Sequence, residues 1–320
     1  MIGRVNTGGG GSPNKSAIIV TAPTGSTVTC KMGSTTKTAI EKNGVWTFGG
    51  IDLGTWTITS TKGGESATQD VAITRLTVEY VTIVYRITPE FTYTGDYAIV
   101  DDSDNAISDF ASWKGNWKIR FLTSGTFTVT KLNGWDGRLD VFLVGGGGNG
   151  ETIRGARGGG GGYTKTVKGI SVTIGTPYTV TIGASSGTSS AFGASATGAS
   201  GANGGSGGGG GGSSSGTSGN GGSNGGNGTA GNVSQGGTGQ GTTTREFGES
   251  TGKLYSGGGG GSAADAGSAG DSTAGAGAAY GQAAKNGAAN TGGGGGGAYD
   301  GTAGSGGSGI VVARNARGAA

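Results

Sequence analysis

Side chains that could do chemistry are few in this 320-residue chain, and one type is missing altogether. There is no histidine, so imidazole activation of a nucleophile, imidazole acid–base catalysis and histidine-ligated metal centres are unavailable. The lone cysteine, Cys30, has no intrachain disulfide partner, and its Val-Thr-Cys-Lys setting predicts a small buried apolar residue. Glycine-rich text invites a phosphate-loop reading, but Gly252-Lys253 is followed by Leu254 and misses the Gly-x-x-x-x-Gly-Lys-Ser/Thr spacing. Asp101, Asp102, Asp104 and Asn105 form one acidic cluster whose oxygens would suit a hard cation such as Ca2+. It lacks the glycine and terminal glutamate of a calcium loop, so it is assigned to a solvated Asp/Asn turn. The expectation is a chain with no cofactor, no resident metal and no catalytic centre.

Groups suited to recognition are easier to find. Arg245, Phe247 and Tyr255 put charged and aromatic side chains into text otherwise made of Gly, Ala, Ser, Asn and Thr, and Tyr280 and Tyr299 do so more sparsely. Arginine and aromatic residues are the common energetic anchors of interfaces, which makes these five the candidate receptor contacts. A second reading stays open for Phe247 and Tyr255, that they cap or flank the glycine region. Nucleic acid is not an expected partner: the formal charge is +3, no Lys/Arg run occurs, and the later aromatics are not interleaved with basic residues. No apolar run approaches a membrane span, and the first residues lack the apolar centre of a signal peptide, so a soluble chain without membrane insertion is expected.

The elements that must carry these groups differ between the two halves. Of 81 glycines, 18 precede residue 145 and 63 follow, whereas all five tryptophans (Trp46, Trp56, Trp113, Trp117 and Trp135) lie before it. The first 15 residues read as a flexible leader. Apolar/polar alternation broken by Pro, Asn-Gly and Gly-Gly turns predicts an antiparallel β-sandwich over 16–86, and a second β-rich unit over 87–144. Residues 145–320 form the third expected unit, with glycine tracts at 145–148, 158–162, 207–212, 221–228, 257–261 and 292–297.

Composition alone makes such tracts flexible linkers, because ordering glycine costs backbone entropy and brings no apolar surface. Three features favour order: tracts of similar length recur, turn-like segments separate them, and strand-like runs at 139–144 and 310–314 bracket them. Left-handed helices with three residues per turn leave every backbone group free to bond a neighbour, so the tracts are expected to form a polyglycine II array. The fold class is then all-β plus polyglycine II: two small antiparallel sandwiches, then the glycine array, with no α-helix of note. Two consequences follow: 310–314 pairs with 139–144, and Gly209 and Gly294 have no room for a Cβ.

Two resemblances fit this layout. The segment Asn43-Gly44-Val45-Trp46-Thr47-Phe48 through Gly54-Thr55-Trp56-Thr57-Ile58 resembles carboxypeptidase-regulatory-like and PEGA-type β-sandwich modules, which implies a spacer or display domain over 16–86. Asp140-Val141-Phe142-Leu143-Val144 leading into Gly145–Gly148, the tract ending at Gly162-Tyr163, and Gly306-Gly307-Ser308-Gly309-Ile310-Val311-Val312 resemble the glycine-rich domain of phage and prophage proteins. The organisation is also similar to the polyglycine-helix tips of tail-fibre adhesins. The resemblance implies a virion protein at a tail or fibre tip that binds a host cell-surface receptor, glycan or protein, alongside other tail proteins and as a homo-oligomer such as a trimer. Two alternatives remain: a structural virion protein without a receptor, and a bacterial surface or ice-binding glycine-rich protein.

Overall fold

A computed structural model describes residues 16–23, 25–62, 65–83, 88–211, 217–221, 227–232, 237–239 and 244–317. The expected leader, Thr242 and Thr243, and parts of the tracts at 207–212 and 221–228 lie outside them. The chain divides into two compact units.

The first unit holds the described residues up to Pro89, with Ala111–Gly115 and Leu132–Asp136. Its strands are β1 (Ser16–Thr21), β2 (Thr27–Met32), β3 (Thr35–Lys37), β4 (Ile40–Lys42), β5 (Val45–Ile51), β6 (Gly54–Lys62), β7 (Glu65–Ile73) and β8 (Val78–Thr82). They form two four-stranded sheets, ordered β4-β5-β1-β8 and β3-β2-β6-β7. Side chains alternate across a strand, and the burial follows: in β6, Trp56, Ile58 and Ser60 turn inward. Trp56 and Ile58 meet Ile18, Val20, Cys30 and Phe48 in one core. Trp56 is fully buried and satisfies its indole N–H on the Asp52 carbonyl at 2.9 Å. Asn43 (φ 53) and Gly44 (φ 77) make the two-residue hairpin turn between β4 and β5, the left-handed conformation that Asn-Gly favours. This is the sandwich expected from the sequence, except that β8 runs parallel to β1.

The second unit comprises Glu90–Phe110, Asn116–Lys131 and the chain from Gly137 onward. It contains β9 (Glu90–Tyr93), β10 (Tyr97–Val100), β11 (Lys118–Phe121), β12 (Gly125–Lys131), β13 (Arg138–Val144), β14 (Thr164–Ser171), β15 (Pro177–Val180), β16 (Ser189–Ala191), β17 (Ala194–Ala196), β18 (Thr244–Arg245), β19 (Leu254–Tyr255) and β20 (Ile310–Asn315). A five-stranded antiparallel sheet runs β10-β11-β20-β13-β14, and a three-stranded one runs β15-β12-β9. Phe121 and Phe127 join the two sheets edge to face at 5.5 Å, with Tyr93, Phe91 and Phe192 around them. The expected pairing of the closing strand is present: Val144 faces Ile310, Phe142 faces Val312 and Leu139 faces Asn315. The boundary expected at residue 144 is corrected. Strands β10, β11 and β13 complete their sheet only with β14 and β20, because β11 and β13 each need β20 between them to pair their inner edges, and β12 pairs with β15 from beyond the boundary.

The described glycine tracts beyond β13 are joined through their backbone. Gly148 N–H donates to Gly160, Gly159 to Gly295, Gly158 to Gly209 and Gly259 to Gly159, all at 2.7–2.9 Å. Tract 158–162 therefore bonds four others, those at 145–148, 207–211, 257–261 and 292–297. Among the described tract glycines only Gly292 (φ +69) takes a positive φ. Their requirement is space: a Cβ on Gly159 would lie within 3.0 Å of the Gly148 carbonyl oxygen, and one on Gly209 or Gly294 would meet Gly237 or Gly159 in the same way. The expectation for Gly209 and Gly294 is met.

Candidate functional site

The segment expected to carry receptor anchors folds back on the five-stranded sheet. Strands β18 and β19 pair Thr244 with Tyr255 and Arg245 with Leu254, and between them Glu246–Gly248 make one 3-10 turn. Phe247 sits in that turn at φ 56, an uncommon position for a bulky residue. Packing holds it there. Its ring meets Phe142 at 5.9 Å between centroids, and the Arg314 guanidinium lies 4.0 Å from its centroid. Tyr255 packs on Phe142 at 5.4 Å. Both rings are buried in one cluster with Val144, Ile310 and Val312.

This corrects the reading of Phe247 and Tyr255 as receptor contacts. Neither ring reaches the surface, because Phe142, reaching inward from β13, supplies the apolar face they cover. Arg245 is exposed and donates from Nη1 to the Gly252 carbonyl at 2.9 Å. Tyr280 and Tyr299 come together edge to face at 4.9 Å, with Tyr280 exposed and Tyr299 half-buried. Their loops are tied by the Gly281 N–H to the Tyr299 carbonyl.

The same fold-back builds a charged cleft that the sequence reading missed. Glu246, one residue from Phe247, is carried to Lys118 of β11 (2.8 Å) and Arg120 (3.2 Å), and the Tyr255 hydroxyl reaches its Oε1 at 3.3 Å. Lys118 also holds Asp104 at 2.7 Å, as does Arg120 at 2.6 Å. On β20, Arg314 bridges Asp140 of β13 (3.2 Å) and Glu249 (2.7 Å). Arg317 holds Asp102 at 2.5 Å. Asp104, Lys118, Glu246, Glu249, Arg314 and Arg317 line a cavity of about 490 Å³.

These surroundings shift the groups in directions that follow from the contacts. Burial raises Asp104, but the hydrogen bonds from Lys118 and Arg120 outweigh it and hold its carboxyl below the ordinary range. Burial disfavours the charged form of Arg120, yet Tyr255, Asp104 and Glu246 keep it above its usual value. Arg317 goes the other way: burial lowers it, and the like charge of Arg314 pushes in the same direction. Tyr255 is raised by burial and by the Glu246 carboxylate.

The acidic cluster at 101–105 is a turn. Asp101 accepts from the Ser103 and Asn105 N–H groups, both at 2.9 Å, and from the Asn105 amide at 3.1 Å. Those hydrogen bonds hold its carboxyl below the ordinary range. Asp102 and Asp104 are turned outward to Arg317 and to Lys118 and Arg120. This is the turn expected from the sequence, and its carboxylates are committed to separate partners instead of converging. Lys118, Glu246, Asp140 and Arg314 left no local signature, because each pair joins residues more than a hundred positions apart, 128 for Lys118–Glu246 and 174 for Arg314–Asp140.

Comparison with known proteins adds a family. A glycine-rich domain matches residues 122–316, more than half of the chain, from the end of β11 through the array to β20. No curated protein matches. The crystal structure of a DUF3823 family protein from Bacteroides ovatus aligns at 12% identity over 52% of this chain and 79% of that one, with a TM-score of 0.20, a likeness too slight to carry an argument.

Proposed function

The chain belongs to the glycine-rich domain family, and from that premise we propose that it is a display protein of a virion, a tail-fibre or tail-tip adhesin without enzymatic activity. Tract 158–162, bonded through its backbone to four other tracts, is the observation that carries this reading. A row that cannot move without breaking bonds on every side makes a rigid base, and loops on rigid bases are where recognition residues concentrate. Arg245 and the Tyr280–Tyr299 pair are the members of the original five left available to a receptor. The sandwich of the first unit serves as a spacer, in keeping with the modules that its Asn43–Ile58 segment resembles.

Adsorption to host cells tests the proposal. Purified full chain should bind the host surface and compete with particles for it, and a folded Arg245→Ala/Tyr280→Ala/Tyr299→Ala variant should lose most of that competition. A chain that is incorporated in particles but binds no cells would leave the structural virion role in its place. Binding undiminished in the triple variant would move the contact to other loops.

A further inference from the structure

We propose that the charged cleft on the five-stranded sheet binds an oxyanion, a carboxylate or phosphate group, and that Asp104 and Glu249 are internal anions occupying the site until such a ligand displaces them. This goes beyond the display reading and does not depend on it.

The asymmetry of the ion pairs carries the inference. Each deeply buried cation holds one carboxylate that is itself buried and one that is not. Lys118 holds Glu246 (4% exposed) and Asp104 (36%). Arg314 holds Asp140 (1%) and Glu249 (51%). Arg317 repeats the outer half of the pattern with Asp102 (51%). The inner shell alone does not balance, since Lys118, Arg120 and Arg314 face only Glu246 and Asp140. The outer carboxylates make up the difference, and they stand on the 101–105 turn and on the loop after the 3-10 turn, outside the strands.

Buried pairs break at a high cost because the partner left behind is a desolvated charge, whereas exposed pairs contribute little. Asp104 (36% exposed) and Glu249 (51%) can pass into water when they leave, provided another anion meets the buried cations left behind, whereas Glu246 and Asp140 would themselves be left desolvated. With them gone the cleft presents Lys118 Nζ and the Arg314 guanidinium to whatever enters, beside Arg317, which Asp102 holds from the rim, and a guanidinium fork suits an oxyanion. Lys253 lines the same cavity with its Nζ over the Tyr255 ring at 5.6 Å. A further observation shows a donor to spare: beside the cleft, Arg120 Nε is buried with no acceptor among the described residues.

The experiment is titration of the full chain, by calorimetry and amide NMR at constant ionic strength, with inorganic phosphate, glucuronate and, as neutral control, glucose. Phosphate or glucuronate should bind and shift the amides around Glu249–Lys253, and the tighter of the two identifies the group preferred. Asp104→Asn and Glu249→Gln remove the competitor and should each tighten binding about two- to five-fold. Arg317→Gln should weaken it about ten-fold. The proposal is overturned if neither anion binds the wild type or the folded Asp104→Asn/Glu249→Gln double variant, if glucose binds as well as glucuronate, or if the rim substitutions leave the affinity unchanged. Cell adsorption is no part of this readout, so failure of the display reading and failure of the cleft are separate results.

Discussion

The sandwich of the first unit and the glycine array of the second reach order by opposite routes. In the sandwich, strands stand apart and side chains fill the space between them: Trp56, Phe48 and Ile18 are buried while alternate residues of the same strands face out. In the array the rows close until backbone touches backbone, and the missing side chain is the structural requirement. The sandwich is thus sensitive to losing volume and the array to gaining it. Glycine also has two distinct uses within the second unit, since tract glycines are needed for space and turn glycines such as Gly175 (φ +75) for conformation.

Removing residues 309–317 should have the largest effect and strikes only one side of this comparison. Without β20 both β11 and β13 lose a partner along their length, and limited proteolysis should show cleavage throughout the second unit. Cys30 reports on the other side. Burial pushes its thiol up to about 11 against the pull of Lys37, and its core neighbours all lie before residue 84, so its reaction with a thiol reagent should stay as slow as in the intact chain. Rapid modification of Cys30 in the truncated protein would mean that the two kinds of order are not separable.

A mirrored pair of substitutions comes next. Trp56→Ala empties a side-chain core and should cost about 3–5 kcal/mol. Gly159→Ala adds a single methyl where Gly148 already stands and should cost about 1–3 kcal/mol, measured by denaturant unfolding. An alanine accepted at Gly159 without loss would refute close packing as the basis of the array. Gly175→Ala sharpens the point: a Cβ there meets nothing within 4 Å, so only the conformational cost of about 1–2 kcal/mol remains. Asparagine, which tolerates the left-handed region, should recover part of the loss at Gly175 and none at Gly159.

The smallest expected effect is on acid sensitivity. Asp104 has a folded-state pKa below its unfolded value of about 4. Its contribution is present above that pH and is lost as pH falls through the lower folded value. Asp104→Asn should flatten the stability profile of the second unit below about pH 4, and leave that of the sandwich unchanged.

Local pattern accounts for what was legible in the sequence. Alternation in Thr55-Trp56-Thr57-Ile58, the turn at Asn43-Gly44 and the apolar runs at 139–144 and 310–314 each announce themselves within a few residues, and these predicted the sandwich and the closing pair. Sites assembled across the chain left no such trace. Nothing in the residues around Glu246 announces its burial, which comes from Lys118 on β11. Phe247 and Tyr255 left receptor anchor and flanking residue both open because their neighbours in sequence are small and polar, and the ring that buries them, Phe142, lies on another strand. The boundary at 144 failed for the same reason, since the sheet does not end where the composition changes.

The position of β20 between β11 and β13 also sets a clock. During synthesis the flanking strands leave the ribosome first, and the strand that joins them follows only after the whole glycine region, as the 174-residue separation of Arg314 from Asp140 shows. At about 5–20 residues per second that interval is on the order of ten seconds or more. For its duration two strands stand with open edges, exposed to pairing with other nascent chains. Closing so long a loop costs about 4–5 kcal/mol of chain entropy before the pairing repays it, which places the second unit among slow, non-locally connected folders. Yield in a cell should therefore depend on translation speed and on chaperones that shield β11 and β13, in a way that no measurement on the finished molecule would reveal.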